Sequence, residues 1–262
     1  MMRRAWITLI SAAGGLAALA IAGCNGSSFG GLTNPMPTNA SATGIWGGTD
    51  SVTGMSVAGY IDAAGEAVFI RADGVQFVGA TQVSGDTLVA AVVAYTNFGT
   101  TFSDGSTYGL GTLNGTVATG STLTASLSFT TNGGTVEAGS WSLAYSTLTN
   151  SGSSLRTISA NYTDTASGSV ISISGNGVMT GQNPANSCVV NGTITVINSS
   201  YDIYQVSLTY ESCTGSYAVL NGVQLTGLAV FNPTASPTQL TISVAGASSN
   251  SKFGVVLYLQ GS

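Results

Sequence analysis

Regular alternation of apolar and polar residues is the feature that most constrains the fold of this chain. In the segment STLTASLSF, at residues 121–129, every second residue from Leu123 to Phe129 is apolar, and the others are threonine or serine. The segment QLTISVAG, at residues 239–246, has the same pattern. Successive side chains of a β-strand point to opposite faces, so these segments predict strands with one buried and one exposed face. We therefore predict an all-β fold, either an antiparallel β-barrel or a β-sandwich.

Local patterns predict a central strand and several turns. The segment DTLVAAVVAYT, at residues 86–96, is apolar on both faces, which predicts a strand at the centre of a sheet. Asp73-Gly74, Asp104-Gly105 and Asn114-Gly115 are dipeptides that tight hairpin turns favour, so we expect a turn at each of them.

Ordered internal similarity indicates a duplication. The segment GIWGGTD at residues 44–50 matches ISANYTD at 158–164, and three later pairs follow in the same order at offsets of 113 to 117. We predict two tandem β units of about 105 residues, at residues 44–150 and 155–262. Convergent strand composition is the alternative explanation. Two separate barrels or sandwiches and one larger barrel built from both halves all fit this pattern.

The beginning of the chain has the pattern of an export signal. Arg3 and Arg4 precede an uncharged apolar run that ends in small residues, as in a secretory signal peptide. A retained membrane-spanning helix is the alternative, because the run is long enough to cross a bilayer. The run ends in Ile21-Ala22-Gly23-Cys24, which resembles the lipobox of bacterial lipoproteins.

This resemblance implies that residues 1–23 are removed as a signal peptide and that Cys24 carries acyl chains such as palmitate. Asn25 stands where an inner-membrane retention signal usually has Asp, so the resemblance implies the outer membrane of a Gram-negative bacterium, on either its periplasmic or its outer face. The lipid anchor would make the membrane itself a partner. Residues 24–43 carry no charge and are rich in Gly, Ser, Asn, Thr and Pro, which predicts a flexible tether.

Two cysteines remain besides Cys24. Cys188 and Cys213 form an even pair in an exported chain, which predicts a disulfide. They flank a predicted hairpin in which directly opposed residues share a face. In a hairpin whose apolar faces match, the numbers of directly opposed residues have an even sum. The numbers of Cys188 and Cys213 have an odd sum, so one extra residue has to be accommodated at a bulge or at a strand end. We expect a bulge at Asn191-Gly192, since glycine accepts the positive φ that many bulges need.

Charge and histidine content narrow the possible functions. Once the leader is removed, only Arg71, Arg156 and Lys252 oppose ten carboxylates, so the chain has no basic surface for nucleic acid. It also contains no histidine, which excludes His-dependent catalytic triads and His metal sites. We expect no metal, no cofactor and no enzymatic activity.

Gly44-Ile45-Trp46 resembles the Gly-x-Trp motif in the first strand of lipocalins, where the Trp closes one end of a ligand-holding barrel. The resemblance implies this closing role for Trp46, with Arg156 or Lys252 packed over the indole. A buried Trp at the start of a strand is the alternative interpretation.

For the whole chain we predict a non-catalytic interaction or structural module of the cell envelope, whose partner is an envelope protein or a surface. The first alternative is a lipocalin-like barrel that binds a small or apolar ligand, and the second is a transmembrane β-barrel. The barrel interior distinguishes the interaction or structural module from the lipocalin-like barrel. A ligand-binding barrel needs an open lumen with apolar walls, whereas the interior of a structural module is filled by side chains.

Overall fold

The structure is built from β-sheet. The computed structural model describes residues 38–248 and 252–262, which contain sixteen strands and two short 3-10 helices. The strands of the first half are β1 (Gly44–Asp50), β2 (Ser56–Ile61), β3 (Glu66–Arg71), β4 (Gln76–Ser84), β5 (Thr87–Tyr95), β6 (Tyr108–Ala118), β7 (Thr122–Thr131) and β8 (Val136–Tyr145). Those of the second half are β9 (Ala160–Asp164), β10 (Val170–Ile173), β11 (Val178–Gln182), β12 (Val189–Val196), β13 (Ile203–Glu211), β14 (Gln224–Asn232), β15 (Gln239–Ala247) and β16 (Lys252–Gly261). The 3-10 helices are Thr147–Ser151 and Gly215–Leu220.

Each half closes on itself as an up-and-down barrel. Strands adjacent in sequence pair antiparallel, β1 pairs with β8, and β9 pairs with β16. Closure leaves no unpaired sheet edge among the sixteen described strands. The predicted all-β fold of two repeated units is confirmed, in the form of two eight-stranded barrels, here called barrel 1 (β1–β8) and barrel 2 (β9–β16).

A buried aspartate joins the first and last strands of barrel 1. Asp50 ends β1, and one of its carboxylate oxygens accepts a hydrogen bond from the Ser140 N–H of β8 at 3.0 Å. The carboxylate also accepts from the Val52 N–H and the Thr53 hydroxyl in the following turn, each at 3.0 Å. Burial opposes ionisation, but these hydrogen bonds outweigh it and hold the pKa of Asp50 below its usual value.

Barrel 2 repeats this arrangement at Asp164, which occupies the position of Asp50 in the matched segments. One Asp164 oxygen accepts from the Tyr258 N–H of β16 at 3.1 Å, and the other accepts from the Ser167 hydroxyl at 2.5 Å. The same hydrogen-bonded seam therefore closes both barrels, and it lies within the sequence match that indicated the duplication.

Large apolar side chains occupy both interiors. In barrel 1 the Trp141 ring lies 5.0 Å from the Phe69 ring and 5.3 Å from the Phe77 ring, centroid to centroid. In barrel 2 the Tyr162 and Tyr204 side chains are fully buried within a continuous cluster of apolar residues. Close packing of this kind leaves the barrels filled.

The two barrels belong to one compact unit and pack through their outer faces. The barrel junction consists of Ile45, Tyr60, Val68 and Ile70 of barrel 1 and Ile203, Leu228, Val230 and Val256 of barrel 2. Strand β3 is accordingly buried on both faces. The prediction of a central strand at residues 86–96 is wrong, because a closed barrel has no central strand and the outer face of β5 is partly exposed, with Val89 at 40%.

Of the three predicted turns, Asp73-Gly74 lies in the β3–β4 turn and Asp104-Gly105 lies in a tight turn of the β5–β6 loop. Asn114-Gly115 lies within β6, so that prediction is wrong. A Cβ atom at Gly115 would stand 2.0 Å from the Thr124 carbonyl oxygen of β7. Glycine is needed there for the close approach of two strands, which a dipeptide pattern cannot distinguish from a turn.

The seam predicts a matched pair of effects on stability. Replacing Asp50→Ala removes the acceptor of three hydrogen bonds and leaves the Ser140 N–H without that partner, so we expect the free energy of unfolding to fall by about 2–4 kcal/mol. Asp86→Ala, at an exposed carboxylate of the β4–β5 turn, is the control and should change it little. Urea unfolding monitored by tryptophan fluorescence measures both, and equal stabilities of the two variants would contradict the role of the seam.

Candidate functional site

Trp46 of β1 is buried in the core of barrel 1. Its indole N–H donates to the Ala42 carbonyl oxygen at 2.9 Å, which ties the segment before β1 to the barrel. Tyr162 makes the same connection in barrel 2, donating from its hydroxyl to the Ile158 carbonyl oxygen at 2.9 Å. The last residues of the predicted tether therefore pack on barrel 1, where the Ala40 N–H also donates to the Gly85 carbonyl oxygen.

The partner of the Trp46 indole differs from the one that the lipocalin resemblance implied. Tyr145 of the last strand packs edge-on against Trp46, with 5.3 Å between ring centroids. Arg156 is exposed, and the Lys252 ammonium lies over the Tyr108 ring at 4.7 Å. Both expected cations are thus placed elsewhere, and an aromatic ring serves the packing role.

The disulfide between Cys188 and Cys213 is present. The ladder between β12 and β13 runs without a bulge from the Val189–Glu211 pair to the Val196–Tyr204 pair. The expected bulge at Asn191-Gly192 is therefore wrong, and the extra residue is Ser212, just after β13, with φ at 58°. An irregular residue at a strand end interrupts no ladder hydrogen bonds. Cys24, the predicted site of acylation, lies outside the described residues.

A cavity of about 390 Å³ lies at the end of barrel 2 that carries the disulfide. We call it the mouth cavity. It is lined by Asn97, Phe98, Asp164, Ala166, Ser167, Ser169, Asn183, Ala185, Asn186, Cys188, Tyr210, Tyr217, Leu220, Val255, Val256 and Leu257. The equivalent end of barrel 1 is covered by Phe102, which is buried against Phe129.

Barrel 1 contributes one wall of the mouth cavity through its β5–β6 loop. The Phe98 N–H donates to the Gly254 carbonyl oxygen at 2.8 Å, and the Val256 N–H donates to the Asn97 side-chain oxygen at 3.1 Å. The Phe98 ring packs against Tyr217 with 5.2 Å between centroids. The cavity thus depends on the packing of the two barrels.

The floor of the mouth cavity presents hydrogen-bond donors. Tyr210 and Asn183 are each only 8% exposed. The Asn183 side-chain oxygen accepts from the Ala185 N–H at 2.9 Å, which leaves its NH₂ group as the remaining donor. Within the described residues, neither this NH₂ group nor the Tyr210 hydroxyl has a protein partner. Burial, followed by the nearby Asp164 charge, raises the pKa of Tyr210, so its hydroxyl remains a donor at neutral pH.

A second polar group is buried at the connection between the barrels. Asp202 is 1% exposed, and its N–H donates to the Thr149 carbonyl oxygen in the first 3-10 helix. Neither of its carboxylate oxygens has a hydrogen-bond partner of normal geometry in the described part of the chain. Burial raises the pKa of Asp202 to about 7, and the neighbouring Tyr204 hydroxyl offsets only part of this effect.

The described residues contain no group of three or more His, Cys, Asp or Glu side chains placed to hold a metal ion. They also include no helix with the length and apolar character needed to span a membrane.

No protein-family model, curated protein or solved structure matches this chain. The sequence indicated the disulfide and Trp46 but not the mouth cavity. Tyr210 and Asn183 lie on separate elements of barrel 2, and Phe98 comes from barrel 1, so no local spacing connects them.

Asp202 predicts an unusual pH dependence of stability. Its pKa is higher in the folded chain than in the unfolded chain, so its contribution is fully favourable below about pH 4 and is lost as pH rises to about 7. Asp202→Asn should remove this loss and raise the free energy of unfolding at pH 7.5 by about 2–4 kcal/mol relative to wild type, with a smaller gain at pH 4.

Urea titrations across this pH range measure the difference between variant and wild type. Asp86→Asn, at an exposed carboxylate, is the matched control and should give a flat difference. A flat difference for Asp202→Asn as well would show that this carboxylate is not buried in its charged form.

Proposed function

We propose that this chain is a lipid-anchored protein of the Gram-negative outer membrane, attached through acyl chains on Cys24, and that its two barrels form a non-catalytic interaction module. The observation that carries the second part is the filling of both barrels by buried apolar side chains. A filled barrel offers its outer faces and its ends to partners rather than its lumen.

The outer face of β6–β8 supports an interaction role. Thr116, Thr124 and Ser142 are exposed and stand in one row across the three strands, and the Thr116 and Thr124 hydroxyls hydrogen-bond at 2.9 Å. The next row consists of Asn114, Ser126 and Ser140. This uncharged polar face suits contact with an envelope protein or with a hydroxyl-rich surface.

The distribution of side chains favours this proposal over a transmembrane barrel. A transmembrane barrel has an apolar outer band and, in many cases, a polar interior. Here the outward residues of β7 are threonine and serine, and its inward residues, from Leu123 to Phe129, are buried and apolar. The polarity of β7 is therefore the reverse of that of a transmembrane strand, which supports the proposal.

The mouth cavity favours a second candidate function, the binding of a small ligand. Its volume is within the range of about 300–1,000 Å³ that is typical of ligand pockets, and polar groups converge on it from several elements. In this reading the ligand lies at the end of barrel 2 and not in a lumen.

Filled barrels predict no uptake of an apolar dye. We expect N-phenyl-1-naphthylamine to show no saturable fluorescence increase with the purified chain, whereas a ligand-binding lipocalin, the positive control, should give one. A saturable increase that survives Tyr217→Ala at the mouth cavity would contradict the filled barrels and support the lipocalin-like alternative.

The anchor is tested by Cys24→Ser in a Gram-negative host. Loss of the Cys24 thiol removes the proposed site of acylation and should abolish labelling by palmitate. Ser28→Ala, four residues into the predicted tether, is the matched control and should leave the labelling unchanged. Labelling of the Cys24→Ser protein by palmitate would contradict the proposed anchor.

A further inference from the structure

We propose that the mouth cavity binds a neutral saccharide unit. This inference rests on the second candidate function above and names the chemical class of its ligand.

Hydrogen-bond donors at the floor require a ligand with oxygen acceptors. The Tyr210 hydroxyl and the Asn183 NH₂ group belong to side chains that are more than nine-tenths buried, and neither group has a protein partner among the described residues. Leaving such donors unpaired when a ligand covers them is costly, so a purely hydrocarbon ligand is disfavoured. Sugar hydroxyl and acetamido groups supply acceptors for both donors.

Aromatic rings at the rim suit the apolar face of a sugar ring. Phe98 and Tyr217 pack against each other at a tilt of 49°, and Tyr217 is 39% exposed. Leu220, Val255 and Leu257 extend the apolar wall inwards. A pyranose ring has one face of C–H groups and a periphery of hydroxyls, which matches apolar walls combined with a polar floor.

The charge of the lining selects a neutral ligand. The lining contains no lysine or arginine, so an anionic ligand would lose hydration without gaining an opposite charge. Its one acidic side chain is Asp164, whose two oxygens already accept hydrogen bonds from Tyr258 and from Ser167. The Asp164 charge therefore disfavours an anionic ligand, and its oxygens are already occupied by the hydrogen bonds of the barrel seam.

The loop that carries Asn183 is held in place before any ligand binds. The Asn186 carbonyl oxygen accepts from both the N–H and the hydroxyl of Thr214, each at 3.0 Å. The disulfide joins Cys188 and Cys213 beside these contacts. Preorganisation of this kind lowers the entropic cost of binding a small ligand.

Isothermal titration of the full chain in detergent with N-acetylglucosamine, glucose and glucuronate tests the proposal. We expect saturable binding of at least one neutral sugar with a Kd of about 1 mM and weaker binding of glucuronate. Tyr210→Phe removes only the hydroxyl and should weaken sugar binding about threefold to tenfold. Tyr217→Ala removes a partly exposed ring of the rim and should weaken it by a similar factor.

Two control variants carry the same chemical changes away from the mouth cavity. Tyr145→Phe removes a hydroxyl that bonds Asn150, and Tyr201→Ala removes a ring near the opposite end of barrel 2, so both should bind sugar as wild type does. Near-wild-type unfolding midpoints for Tyr210→Phe and Tyr217→Ala exclude loss of the fold as the cause.

The proposal would be overturned if neither neutral sugar showed saturable binding. It would also be overturned if Tyr210→Phe and Tyr217→Ala bound the sugar as tightly as wild type does. Tighter binding of glucuronate would overturn the argument from charge. Saturable N-phenyl-1-naphthylamine binding that disappears in Tyr217→Ala would assign the cavity to an apolar ligand instead. The titration is repeated with Cys24→Ser, so failure of the anchor and failure of sugar binding are observed separately.

Discussion

Closure of each sheet on itself is the constraint on which the rest of this structure depends. A barrel closes only if its first and last strands pair, and in both barrels a buried aspartate secures that seam by accepting a backbone hydrogen bond from the last strand. Asp50 and Asp164 also hold the turns that follow the first strands. The donors around Asp50 hold the pKa of its carboxyl below the usual value, although burial alone would favour the neutral form. Both repeated units thus use the same device for closure.

Closure also decides which surfaces remain for function. Inward side chains fill each barrel, and the outer apolar faces of β3 and β14 are buried in the barrel junction. Among the described residues, the open features include the uncharged hydroxyl rows of β6–β8 and the mouth cavity of barrel 2. Phe98 of barrel 1 forms part of that cavity, so the packing of one barrel on the other shapes the site. Barrel 1 therefore supplies a cavity wall that barrel 2 alone would lack.

Even and odd sums of residue numbers correctly predicted which residues of β12 and β13 share a face. They did not predict where the extra residue lies. Inward residues of β12 and β13 face each other as expected, and the odd spacing of Cys188 and Cys213 does require one extra residue. Its position after β13, and not at Asn191-Gly192, depends on where the ladder ends. Glycines within strands mislead in the same way, because Gly115 and Gly192 both leave room for a neighbouring strand that a local pattern does not contain.

The sequence by itself determined the fold class, the two repeated units, the inward faces of the strands and the pairing of the two cysteines, because alternation and chain order act locally or through fixed periodicity. Only the tertiary structure decided that each unit closes separately, that Asp50 and Asp164 form seams, and that Asp202 is buried with no ionic partner in the described part of the chain. The mouth cavity belongs to the same group. Its Phe98, Asn183 and Tyr210 are far apart in sequence and come together only when two closed barrels pack side by side.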